Sequence, residues 1–190
     1  NTQRVGDLAV LKLAREIRSI KPLAPQHKSI LVARDLPKPG AYIDRLNRLA
    51  KTLPDALWAV QADTQGPRSD RAFYQRQGYQ DCGSFSDLLA SDTPGVVISV
   101  RLHGAIAALL AGRPAIHLSY ERKGWGAYED LGIRPYVHDA RSFDVDAVAA
   151  QVRELQANPK PFWDRIRAAA PVLQDQYNNL VGDLQSRLVS

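Results

Sequence analysis

The chain has no methionine and a single cysteine, Cys82. One thiol cannot close an internal disulfide, which excludes a disulfide-stapled scaffold. No CxxC is present, and His27, His103, His117 and His138 are scattered, so no protein-built metal site and no metal cofactor is expected. Long apolar runs are also missing. The most apolar stretch, around Ala105–Ala111, falls far short of the roughly 20 residues of a membrane span. Neither sign of charge dominates: 25 Lys+Arg stand against 20 Asp+Glu, a formal net charge of +5. The cations are spread along the chain, without an RNA-binding aromatic motif or a helix-turn-helix signature, so no nucleic-acid partner is expected. With no methionine even at its first position, the chain is expected to be a piece of a longer protein.

What is present is a globular composition. An apolar fraction of 45% excludes disorder, and 190 residues suffice for one α/β domain with a real core. Ser29–Ala33 (SILVA), Ala56–Ala62 (ALWAVQA), Gly95–Val100 (GVVISV) and Pro114–Ser119 (PAIHLS) are short apolar runs, the pattern of strands covered on both faces. Pro135–His138 reads as a shorter fifth strand. Helical spacing fills the gaps over Leu8–Ser19, Ala41–Leu53 and Ser69–Gln77, then briefly from Ser84. Leu102, Ile106, Leu109 and Leu110 mark another helix, closed by Gly112 before Pro114. Arg122–Leu131 and Asp144–Gln156 follow, the latter with Asp144 as N-cap. Pro161–Leu188 reads as a long helical segment broken or kinked at Pro171.

This alternation predicts right-handed βαβ units in a Rossmann-like open parallel sheet, with no internal repeat. The expected organisation is an N-terminal helix and linker over 1–28, a Rossmann-like domain over 29–158 and a C-terminal helical segment over 159–190. Ligands of such sheets sit beyond the carboxyl ends of the strands. The residues there are Arg34-Asp35, Asp63, Arg101-Leu102-His103 and Tyr120-Glu121-Arg122-Lys123.

Arg101-Leu102-His103-Gly104 lies where an apolar strand meets a helix of small residues. In extended backbone Arg101 and His103 point the same way, toward one ligand, while Leu102 points inward. The free N–H groups of the helix start add affinity for an anion. The plainer alternative is an arginine in a local salt bridge and a histidine that only caps. Arg34 follows the first strand, where a guanidinium fork suits carboxylate or phosphate. Lys123 suits a phosphate, and Glu121 a hydroxyl or the orientation of a base, or else this is an ordinary charged loop. Trp125 and Tyr128 suit either stacking on a sugar or packing. His117, inside an apolar strand, reads as a satisfied core histidine, Cys82 as inert, and Arg165 and Arg167 as solvated.

The stretch VVISVRLHGAIAALLAGRPAIHLSYERKGWGAYEDLGI, Val96–Ile133, resembles the polysaccharide pyruvyl transferases. That family shows a strand, RLH, a small-residue helix, G-x-P, an apolar strand and Y-(D/E)-x-K before Leu-Gly. SILVARD, Ser29–Asp35, resembles its earlier strand ending in arginine, and the resemblance runs from Ser29 to Ala157. It implies the C-terminal, donor-binding half of a GT-B-type fold of two Rossmann-like halves. The other half opens in the family with a GGxNxGD-like segment, of which Gly6-Asp7 is a faint echo. The acceptor-side domain is therefore expected to be missing here, and the piece by itself inactive.

The implied reaction moves the enolpyruvyl unit of phosphoenolpyruvate onto two hydroxyls of a sugar as a cyclic ketal, in exopolysaccharide or cell-surface glycan synthesis. Phosphoenolpyruvate is the donor substrate, a sugar or lipid-linked glycan the acceptor, and no cofactor is needed. Arg34, Arg101 and Lys123 would bind the donor. His103 would be the general acid/base, an imidazole titrating near neutrality. Tyr120 and Glu121 would support them or meet the acceptor. A cytoplasmic place, peripheral at the inner membrane face, goes with this chemistry. Two other readings remain: the nucleotide-sugar-binding half of a GT-B glycosyltransferase, and a non-catalytic anion-binding module.

Overall fold

The computed structural model describes residues 8–23, 28–63, 69–91 and 94–189. Gly6-Asp7 and His27 lie outside the described residues, as does the side chain of Cys82. Six strands form one sheet: β1 (Lys28–Val32), β2 (Leu57–Val60), β3 (Asp81–Ser84), β4 (Pro94–Ser99), β5 (Ala115–Ser119) and β6 (Val137–Asp139). Every pairing is parallel, and the order is β3-β2-β1-β4-β5-β6. This is the Rossmann-like open parallel sheet that the alternation predicts. Its central strands are buried on both faces, Ile30, Leu31 and Val32 on β1 and Val97 and Ile98 on β4, which is why they read as unbroken apolar runs.

The helices are α1 (Leu8–Glu16), α2 (Tyr42–Thr52), α3 (Asp70–Gln77), α4 (Phe85–Ala90), α5 (Leu102–Leu110), α6 (Arg122–Asp130), α7 (Val145–Ala157) and α8 (Lys160–Val189). β2 lies to one side of β1 and β5 to the other side of β4. Right-handed crossovers therefore put α2 and α5 on opposite faces of the sheet. α2 packs with α7, while α1 packs with both α5 and α8. Gln174 Nε2 of α8 donates to the carbonyl of Ala14 on α1 at 3.1 Å.

Two expectations are corrected. β3 is absent from the expected strands, because Asp-Cys-Gly-Ser has little strand character. It holds as an edge strand because Tyr79, just before it, stacks on Trp58 of β2 at 4.1 Å. Of the expected break or kink at Pro171, the break does not occur: α8 runs continuously through the proline. Phe162, Trp163, Ile166, Ala170 and Leu173 bury one stripe on both sides of the proline. That packing outweighs the roughly 3 kcal/mol a helix-interior proline costs. The cap readings hold, since Asp144 Oδ1 accepts from the N–H groups of Asp146 and Ala147, and Gly112 is left-handed at φ 74°. No helix among the described residues is long and apolar enough to cross a membrane.

Candidate functional site

The strand order reverses between β1 and β4, and in open parallel sheets the carboxyl ends at such a switch point are where ligands bind. Arg34 follows β1 and Arg101 follows β4. Arg101 is held by Asp70, the first residue of α3. Nε donates to Asp70 Oδ2 at 3.1 Å and Nη2 to Oδ1 at 2.5 Å. Asp70 is fully buried, while the Arg101 side chain keeps 19% exposure. Asp70 Oδ2 also accepts the Ala62 N–H at 2.9 Å, which ties the pair to the end of β2. Arg34 is held by neutral groups instead. Its Nε donates to the Asp35 carbonyl at 3.3 Å and its Nη1 to the Tyr120 hydroxyl at 3.3 Å, with the guanidinium 5.8 Å from that ring. Each arginine thus spends two nitrogens on the protein. Nη2 of Arg34 and Nη1 of Arg101 have no hydrogen bond among the described residues. Arg34 keeps its charge uncompensated there, whereas the charge of Arg101 is balanced by Asp70.

The extended geometry expected of Arg101 and His103 does not occur. Arg101 is extended at φ −93° and ψ 120°, but Leu102 already opens α5. His103 therefore stands exposed on the first helical turn, turned about 100° from Leu102. The early start has a local cause. Ser99 Oγ donates to the Arg101 carbonyl at 2.8 Å and accepts the Arg101 N–H at 3.1 Å. Gly104 lets the helix sit close on that serine, since a Cβ there would lie 2.7 Å from Ser99 Oγ.

The same device recurs after β5. Ser119 Oγ donates to the Glu121 carbonyl at 2.7 Å, Glu121 is the N-cap residue of α6, and a Cβ on Gly124 would lie 2.2 Å from Ser119 Oγ. Ser99-Val-Arg101-Leu-His103-Gly104 and Ser119-Tyr-Glu121-Arg-Lys123-Gly124 are thus one local structure used twice. The shared device is a local one and leaves the expectation of no internal repeat as it stands. Arg101 corresponds to Glu121, and His103 to Lys123.

Between the two helix starts lies a small crevice lined by Leu102, His117, Ser119, Tyr120, Glu121 and Lys123, among others. His117 is buried, as its strand position implies. Its Nδ1–H donates to the Ser99 carbonyl at 2.8 Å, which leaves Nε2 as an acceptor. Burial pushes its pKa down to about 4, only partly offset by that hydrogen bond. The imidazole is therefore neutral at pH 7. Lys123 also lines a second, larger opening of about 680 Å³ along α6, shared with Arg122, Trp125, Gly126, Glu129 and Arg134. The two aromatics of α6 separate here. Tyr128 is buried and donates to the Ala115 carbonyl at 3.0 Å, whereas Trp125 borders the cleft.

Two residues of this region have no local sequence signal as site residues. Asp70 looks like an ordinary acid in a helix first turn after its N-cap Ser69. Arg141 fastens the loop after β1 to the end of β5, donating to the carbonyls of Lys38, Pro37 and Tyr120 at 2.9, 3.0 and 3.3 Å. Only their distant partners identify them.

No family model matches the chain, and no curated protein matches it. Among solved structures, it is similar to a glycotransferase of kitacinnamycin, at 16% identity and a TM-score of 0.49 over 88% of this chain. The chain spans 44% of the length of that protein.

Proposed function

We propose that this chain is the donor-binding half of a polysaccharide pyruvyl transferase, a two-domain enzyme of GT-B type. The observation that supports it best is the pair of fastened arginines at the switch point, each keeping one terminal nitrogen for a ligand. Phosphoenolpyruvate carries a carboxylate and a phosphate, and two separated guanidinium groups match two separated anions. The free N–H groups at the start of α5 add to the attraction.

In this reading Arg34 and Arg101 hold the donor, with Lys123 in support. His103 passes a proton to the methylene carbon, C3, and an oxocarbenium-like centre develops at C2. A sugar hydroxyl attacks C2 and loses its proton. The C2–O bond to phosphate then breaks, inorganic phosphate leaves, and the second hydroxyl adds at C2, giving its proton to the departing phosphate, to close the ketal. Tyr120 holds Arg34 in place and Glu121 meets a hydroxyl. The acceptor is a sugar or lipid-linked glycan, and the work is cytoplasmic. The test is thermal protection of the chain by phosphoenolpyruvate and, separately, by nucleoside diphosphates. Protection by phosphoenolpyruvate alone is expected. Protection by nucleotides alone overturns the reading in favour of a nucleotide-sugar-binding half.

A further inference from the structure

His117 has one ring nitrogen that the fold uses and one that it does not. The imidazole sits at the centre of β5 and is 2% exposed. Its Nδ1–H donates to the Ser99 carbonyl of β4 at 2.8 Å. In that tautomer Nε2 carries a lone pair and no proton. Nε2 has no hydrogen bond among the described residues. Buried polar atoms are nearly always partnered, so an acceptor left over at the carboxyl end of a sheet asks for a donor. Nε2 stands beside Gly124, where a Cβ would run into it. His117 and Gly124 both line the crevice of about 40 Å³ between the starts of α5 and α6. The bare glycine therefore keeps this nitrogen uncovered.

The other polar groups of the crevice point to the same kind of partner. Ser119 Oγ gives its proton to the Glu121 carbonyl at 2.7 Å, which leaves only its lone pairs. The Glu121 carboxylate accepts and does not donate. Burial keeps the imidazole neutral at pH 7, so Nε2 stays an acceptor. Three acceptors around one small opening call for a donor. Lys123 stands in the same wall, already engaged by the protein, and its charge disfavours a cationic donor. A volume of about 40 Å³ holds little more than one water-sized group, which excludes a sugar ring or a phosphate from the crevice itself. A hydroxyl is the neutral donor of that size.

We propose that this crevice is a hydroxyl-binding pocket, in which a hydroxyl of a ligand lying across the strand ends donates to His117 Nε2. The hydroxyl belongs to a sugar in either of two sources, an acceptor sugar or the ribose of a nucleotide. The pocket rests on the crevice alone; assigning the hydroxyl to the acceptor rests on the pyruvyl-transfer reading. A weakly basic imidazole binds and orients a hydroxyl rather than removing its proton.

Nitrogen NMR on the whole chain with isotope-labelled histidine tests it. The His117 signals are those that disappear in His117→Asn. Methyl glucoside, methyl galactoside, uridine diphosphate and phosphoenolpyruvate are titrated separately at pH 8. A hydrogen bond received by Nε2 moves its resonance upfield while that of Nδ1 stays. A glycoside should produce that shift, and phosphoenolpyruvate, which has no hydroxyl to give, should not. His117→Asn keeps a donor for the Ser99 carbonyl and removes Nε2. It should weaken the responding glycoside about tenfold. His117→Gln, whose longer amide reaches the place of Nε2, should recover part of that loss. A shift with uridine diphosphate alone keeps the pocket and overturns the pyruvyl-transfer reading. An Nε2 resonance that none of the four compounds moves, one that phosphoenolpyruvate moves, or wild-type affinity in His117→Asn would each overturn the pocket. The pyruvyl-transfer reading would then still stand or fall on protection by phosphoenolpyruvate.

Discussion

The β4–α5 and β5–α6 junctions share one backbone design and put different chemistry on it. In both, a serine at the strand end ties the residue two places on, and a glycine five places on lets the helix settle against that serine. At β4–α5 the tied residue is Arg101, locked to a buried carboxylate, and the helix behind it is buried through Gly104, Ala105, Ile106, Ala108 and Leu109. At β5–α6 it is Glu121, exposed, and the helix behind it carries Arg122, Trp125 and Glu129 along an open cleft. Position in the sheet explains the contrast. α5 packs against α1 as well as the sheet, while α6 lies toward the β6 edge.

The comparison breaks first at the chemistry. His103→Ala, in protein that includes the acceptor half, should lower phosphate release from phosphoenolpyruvate about 100- to 10,000-fold with little change in donor affinity. Lys123→Ala, at the equivalent place, should instead weaken the donor. Equal turnover for wild type and His103→Ala would remove His103 from the reaction.

Next comes the lock. Arg101→Ala leaves the Asp70 carboxylate buried without its guanidinium and should cost about 3–5 kcal/mol in denaturant unfolding. Adding Asp70→Asn should recover part of that loss. Glu121→Ala, at the matching exposed position, should stay within about 0.5 kcal/mol. Equal costs at the two positions would mean that the Asp70 pair is not what distinguishes the junctions.

The buried imidazole between the junctions sets a pH dependence. The unfolded chain protonates His117 near pH 6.5, and the folded protein only near 4. Between these values the unfolded state binds more protons, so stability is present above about 6.5 and is lost as pH falls toward 4. The loss should be on the order of 3 kcal/mol. His117→Asn keeps a donor for the Ser99 carbonyl and should flatten this part of the stability–pH curve. An unchanged slope would place the acid sensitivity elsewhere.

The smallest effect discriminates most finely. A Cβ at Gly124 would lie 2.3 Å from Nε2 of the packed His117 ring, as well as against Ser119. At Gly104 the nearest atom, also at 2.3 Å, is the far end of the Gln61 side chain, which can swing away. Gly124→Ala should therefore cost about 1–3 kcal/mol and Gly104→Ala less. The reverse order in thermal melts would show that the β4–α5 junction is the tighter one.

Much of this molecule is legible along the chain. The apolar runs ending at Ala33, Val100 and Ser119 announce buried parallel strands, because a strand covered on both faces leaves no polar alternation. The strand ends, and hence Arg34, Arg101, Tyr120, Glu121 and Lys123, follow from those runs. Asp81–Ser84 was not legible, since an edge strand of polar residues depends on a neighbour such as the Trp58–Tyr79 stack. The orientation of His103 is not legible in the sequence, because one residue decides whether the backbone after β4 is still extended or already helical.

The sequence by itself determined the layer architecture and the residues at the carboxyl edge, because periodicity and burial are local properties of the chain. The tertiary structure decided what those residues do to each other. Asp70 meets Arg101 across 31 positions, and Tyr120 meets Arg34 across 86. Which cation is neutralised and which keeps its charge depends on the strand order that brings them together. No local pattern encodes a partner so far along the chain.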